Sequence, residues 1–134
     1  MTMRFLLDTN IVSDLVRNPR GRIFDRISEV GEKDVCTSIV VAAELRYGAT
    51  KKKSSRLTSQ LEAVLGAIEV LALEAPVDAI YGAMRAVLEQ IGQPIGANDL
   101  LIAAHALALD LTVVTDNERE FLRIDDLRVE NWLR

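Results

Sequence analysis

Apolar positions along the chain alternate between two rhythms. Arg4 to Leu7, Val35 to Thr37, Val70 to Leu73 and Leu111 to Thr115 are short, nearly continuous apolar runs, the pattern of strands buried on both faces. Between them the apolar residues recur at helical spacing. Ile11 to Val16 predicts a short helix closed by Asn18-Pro19. Arg20 to Val30 predicts a second, with Ile23, Ile27 and Val30 inward and Gly31 ending it. Ser38 is placed to cap a helix from Ile39 to Ala49, and Lys51 to Arg56 reads as a basic connector. Leu57, Leu61, Val64, Leu65 and Ile68 mark the next helix, and Pro76 opens another whose stripe runs from Val77 to Ile91 before Gly92 and Pro94. Gly96-Ala97-Asn98-Asp99 then launches an apolar helix that ends at Asp110. Asn117 to Phe121 reads as a short turn or helix, and Leu127 to Trp132 as the last strand. Such alternation predicts a three-layer α/β/α fold with a mostly parallel central sheet, one domain over residues 1–134.

Acids fall at particular points of that pattern. Asp8 and Asp116 each follow an apolar strand, and Asp99 lies in the first turn of the helix that leads back to the Asp116 strand. In a parallel sheet these three positions share the rim where strands end. Glu44, within two turns of the second strand, reaches the same rim and sits beside Val40, Val41 and Ala43, where an unpaired carboxylate is costly. An Asp after a strand is also an ordinary turn residue, and an Asp in a first helical turn an ordinary dipole partner. All four together point to a site.

Carboxylates a few ångströms apart repel by on the order of several kcal/mol at intermediate dielectric, so such a cluster calls for a cation or for captured protons. An all-oxygen donor set without His or Cys selects a hard ion, Mg²⁺ or Mn²⁺. The chemistry expected there is water attack on a phosphodiester, leaving 5′-phosphate and 3′-hydroxyl ends. Competing chemistries are excluded by residue type. His105 is the sole histidine, so no two-histidine ribonuclease is available, and it reads as a packed structural residue. No Gly-x-Ser-x-Gly or phosphate-binding Gly-Lys-Ser/Thr loop occurs. Asp8 is followed by Thr9-Asn10 rather than by the second Asp of a dehalogenase-like phosphatase, and no lysine follows Lys53, as a phospho-receiver would require.

Four blocks carry a family resemblance: Phe5 to Asn10, Ser38 to Gly48, Gly96 to Ala106 and Val114 to Phe121. In order and spacing, over essentially the whole chain, they resemble the PIN-domain nucleases, and more narrowly the VapC toxins of bacterial toxin–antitoxin pairs. The resemblance implies that Asp8, Glu44, Asp99 and Asp116 are the catalytic acids. It implies that Asp8, Asp99 and Asp116 ligate Mg²⁺ or Mn²⁺, the fourth position often being Asn in relatives. Asn10, Thr115 and Asn117 are implied to hydrogen-bond the ligands. It further implies cleavage of a structured RNA, commonly a transfer-RNA anticodon stem-loop such as that of initiator tRNA, and growth arrest when the antitoxin is lost. A VapB-like antitoxin would wrap the apolar helices, through residues such as Ile11, Val12, Leu15, Ile23, Phe24, Leu57 and Leu61, and set a basic side chain near Asp8 and Asp99.

Composition limits the partners. A net charge of −4 argues against a general polyanion binder, so RNA contacts must be local. Lys51, Lys52 and Lys53 form one basic cluster, Arg17, Arg20, Arg22 and Arg26 another, and Arg46 and Arg85 are candidates to reach the rim. Few aromatics argue against a base-stacking platform. One cysteine, no leader pattern and no membrane-length apolar run place the chain in the cytoplasm. The stripe from Val77 to Ile91 is long enough to serve both core and a homodimer face. A metal-holding nucleic-acid-binding or regulatory protein with little turnover, and a pure interaction module, are the competing readings.

Overall fold

The computed structural model describes residues 4–134. Five strands, β1 (Phe5–Leu7), β2 (Val35–Ser38), β3 (Glu69–Leu71), β4 (Thr112–Val114) and β5 (Val129–Glu130), form one parallel sheet in the order β3-β2-β1-β4-β5. Among the described residues seven α-helices connect them: α1 (Thr9–Arg17), α2 (Arg22–Val30), α3 (Ile39–Lys52), α4 (Ser55–Ala67), α5 (Val77–Gln90), α6 (Ala97–Leu109) and α7 (Glu118–Phe121). The architecture is the three-layer α/β/α arrangement that the alternation predicts. The three central strands are buried at every position, whereas β3 and β5 are partly exposed edges. Parallel strands covered on both faces have no solvated side, which is why their sequences read as unbroken apolar runs.

Strand order places the site. The chain adds β2 and β3 on one side of β1, then returns to add β4 and β5 on the other. The crevice beyond the ends of β1 and β4 is therefore the point where connections diverge, the usual ligand position in open parallel sheets. Leu7 pairs with Val114, and the Asp8 N–H donates to the Val114 carbonyl at 2.9 Å, so Asp8 emerges beside the end of β4.

Some boundaries differ from the sequence pattern. The basic connector is mostly helix: α3 continues through Lys51 and Lys52, and only Lys53 and Ser54 separate it from α4. Lysines suit a helix C-terminus because they face its partial negative charge. Lys53 adopts a left-handed conformation (φ 52°), and Ser54 Oγ caps α4 by accepting the Leu57 N–H at 3.1 Å. The last strand is only two residues long. Beyond it Asn131 Oδ1 accepts the Leu133 N–H at 2.9 Å, and Trp132 turns into the core against Phe5 at 5.2 Å between ring centroids. The third strand covers Glu69–Leu71, short of Leu73. Ile11, Val12, Leu15 and Ile23 are core residues, buried under α1 and α2, and are not free to meet a partner; Phe24 is exposed at 45%, and Leu57 and Leu61 line an open groove between α1, α3 and α4. Among the described residues no helix is long and apolar enough to cross a membrane.

Candidate active site

Asp8 directly follows β1 and stands at the N-cap of α1. An Asp there ordinarily caps the helix with its carboxylate, but this one makes no side-chain cap. Its Oδ2 accepts from Thr115 Oγ1 at 2.7 Å and from Asn10 Nδ2 at 3.4 Å, while Oδ1 is buried without a hydrogen-bond partner. The residue is 3% exposed. Burial is the largest influence and raises the Asp8 pKa, with Thr115 and the Thr9 backbone opposing and Glu44 adding to the rise. Glu44, half-buried on α3, is oriented by Thr9 Oγ1, which donates to its Oε1 at 2.8 Å.

Asp99 lies in the first turn of α6, half-buried. Its pKa is pushed up to about 7, first by burial, then by the charge of Asp8, by a hydrogen bond and charge from Glu120, and by Glu44. Asn117 Nδ2 bridges Asp99 Oδ2 at 3.4 Å and Glu120 Oε2 at 3.2 Å, and the Asn117 N–H donates to Thr115 Oγ1 at 2.9 Å. Asn10, Thr115 and Asn117 thus each hydrogen-bond an acid of the cluster.

The acids that act on one another are Asp8, Glu44, Asp99 and Glu120. Asp116 stands apart from them. Its backbone N–H donates to Asn10 Oδ1 at 3.0 Å, but its carboxylate is exposed and accepts from Asn131 Nδ2 at 3.0 Å. Glu120 was not visible as a candidate in the sequence because it sits in a charged run, Glu118-Arg119-Glu120. The available signal was its neighbour Phe121, fully buried, which docks α7 and leaves the preceding side chain at the rim.

A PIN-domain family model matches residues 5–127. The chain belongs to the PIN-domain family. Within it the chain falls in the VapC group. It is 39% identical to ribonuclease VapC2 of Rickettsia felis, over 97% of this chain and 98% of that protein. It is 36% identical to the tRNA(fMet)-specific endonuclease VapC of Shigella flexneri, over 97% and 98%. The structure superposes on VapBC2 of Rickettsia felis bound to a promoter DNA fragment with a TM-score of 0.90, at 38% identity, covering 97% of this chain and 99% of that one.

In this PIN domain no ion pair among the described residues involves Asp8, Glu44, Asp99, Asp116 or Glu120. As they stand, no three of the described acidic, histidine or cysteine side chains converge at ligand spacing. The donor set nevertheless fits a hard divalent ion: every donor is oxygen, and Asp8 Oδ1 is a buried acceptor with nothing to accept from. The RNA-binding candidates are placed otherwise. Arg46 pairs with Glu62, and Arg85 with Glu89 and the Tyr81 hydroxyl, so both are committed within the chain. Lys51 lies over the Tyr47 ring at 5.9 Å, and Lys52 joins Arg17 and Glu44 in a groove of about 160 Å³ between α1, α3 and α4.

Proposed function

We propose that this VapC-family chain is a divalent-cation-dependent endoribonuclease, the toxin of a VapBC-type pair, acting in the cytoplasm. The observation that carries the reading is the uncompensated cluster of Asp8, Glu44 and Asp99 at the β1/β4 crevice, joined by Glu120. Asp8 and Asp99 would hold Mg²⁺ or Mn²⁺, which supplies the positive charge that activates water and offsets charge building on a phosphate oxygen. Thr115 keeps Asp8 oriented and opposes its protonation. Thr9 fixes Glu44 Oε1, leaving Oε2 without a protein partner among the described residues, and that oxygen would accept a proton from the attacking water. Arg17 and Lys52, in the same groove as Glu44, offer positive charge to a phosphate backbone, with Lys51 and Lys53 beside them.

The substrate reading is a structured tRNA, with initiator tRNA first, supported by the Shigella flexneri relative's tRNA(fMet)-specific name. Purified protein with Mn²⁺ should cut initiator tRNA into a fragment with a 5′-phosphate, and chelation should stop it. Intact initiator tRNA beside another cleaved RNA would overturn the substrate; cleavage in excess chelator would overturn the cation. The partner reading is a VapB-like antitoxin lying along the groove beside Glu44, as the VapBC complexes among the structural relatives support. The exposed Val87 of α5 and Ile91 just past its end offer the apolar part of a homodimer face.

A pH dependence follows from Asp99. Near neutrality the metal-free cluster retains a proton that a cation must displace. Apparent Mn²⁺ affinity should therefore rise by about tenfold per pH unit up to about pH 7 and level off above it. Calorimetric titrations from pH 5.5 to 8.5 would show this slope; a flat profile would mean that no proton leaves.

A further inference from the structure

Helices α3 and α6 pack against each other, and two side-chain interactions span them, one a hydrogen bond and one a charge repulsion. Asp99, at the start of α6, feels the charge of Glu44 in the second turn of α3. Six residues further along α6, His105 Nδ1 lies 2.9 Å from the hydroxyl of Ser38, six residues before Glu44. One of these interactions repels and the other attracts.

The attractive pair is fully enclosed: Ser38 is 0% and His105 1% exposed. Ser38 Oγ is also the N-cap of α3, accepting the Val40 N–H at 3.1 Å. Its hydroxyl proton can go to Nδ1, the arrangement in which the ring's own proton sits on Nε2. Nε2 is buried without a hydrogen-bond partner of good geometry, with the Ala72 backbone nearby. Small residues are buried on both helices, Ala42 on α3 and Ala103 and Ala106 on α6. Apolar contact between small side chains has no direction and lets helices slide. A hydrogen bond has a fixed length.

We propose that His105 is a positioning residue for the acid cluster: its hydrogen bond to Ser38 pins α6 to α3 and so sets the separation of Asp99 from Glu44 that a divalent cation meets. The inference rests on the cation reading above. Without the pin, carboxylate repulsion between Asp99 and Glu44 moves the two helices apart, and the cation must do work to draw them back.

The test is Mn²⁺ binding by calorimetry at pH 8, with thermal unfolding recorded on the same samples. His105→Leu keeps the volume and removes the hydrogen bond, and should weaken Mn²⁺ binding by about tenfold, the scale for losing a partner that orients metal ligands. His105→Asn, whose amide reaches the place of Nδ1, should recover most of that loss. Ser38→Ala should weaken binding by a similar factor, and the double variant no further than either single one. A purely structural role would lower the unfolding temperature and leave the affinity of the folded protein unchanged, and that result would overturn the proposal. Wild-type protein that takes up no Mn²⁺ would instead remove the cation reading, and this inference with it. Should His105→Leu fail to fold, Ser38→Ala and His105→Asn decide the matter alone.

Discussion

Replacing Asp99 with Asn is expected to lower RNA cleavage by about two to three orders of magnitude, the scale for deleting one preorganised electrostatic group from an active site. The same change should make the metal-free protein more stable at pH 8. Asp99 has a pKa of about 7 in the fold against an ordinary 3.8, so the folded chain holds this proton more tightly than the unfolded chain does. Its contribution to stability is fullest below about pH 4, declines as the pH rises through about 7, and stays low above that. Asn keeps the shape and the capacity to hydrogen-bond Asn117 but carries no charge, so the variant lacks the decline. Because Asp99 is half-buried, solvent screening reduces the benefit to roughly 1–2 kcal/mol, or several degrees in melting temperature. The gap between variant and wild type should be small at pH 4 and widen to a plateau near pH 8. A variant melting below wild type at pH 8 would show that this carboxylate is held by net attraction.

Glu120→Gln is expected to impair cleavage far more than Asp116→Asn. Glu120 shares Asn117 with Asp99 and adds both a hydrogen bond and charge to it. Its loss should reduce activity by about ten- to a hundredfold, as when a group supporting a metal ligand is removed. Asp116 is exposed, its carboxylate engaged by Asn131, and its backbone tie to Asn10 survives substitution. Asp116→Asn should stay within about threefold of wild type, in keeping with the small worth of an exposed charge. Initial rates of both variants on one RNA under saturating Mn²⁺ give the comparison directly. The opposite order would return Asp116 to the ligand set and leave Glu120 as a bystander.

The sequence by itself determined the alternation of strands and helices, the parallel sheet, and the rim positions of Asp8 and Asp99. Those features rest on local signals: an apolar run of three to five residues can only be a covered strand here, and a polar residue that ends such a run lies where the strand leaves the sheet. Glu44 was legible for a related reason, as a charge interrupting an otherwise apolar helix start. Tertiary structure alone decided which acid beyond β4 faces Asp99. Asp116 and Glu120 lie four residues apart on a turn and a single-turn helix, and the docking of Phe121 turns one toward Asp99 and leaves the other with Asn131. It also decided that Arg46 and Arg85 are taken up by Glu62 and Glu89, that the lysine run extends a helix, and that Ile11, Val12, Leu15 and Ile23 belong to the core. His105 shows the limit most plainly: the sequence gives a lone histidine in an apolar helix, and its partner Ser38 is 67 residues away. Periodicity reports which face of an element is covered. It carries no record of which distant side chain completes a hydrogen bond, because that is set by how the helices pack.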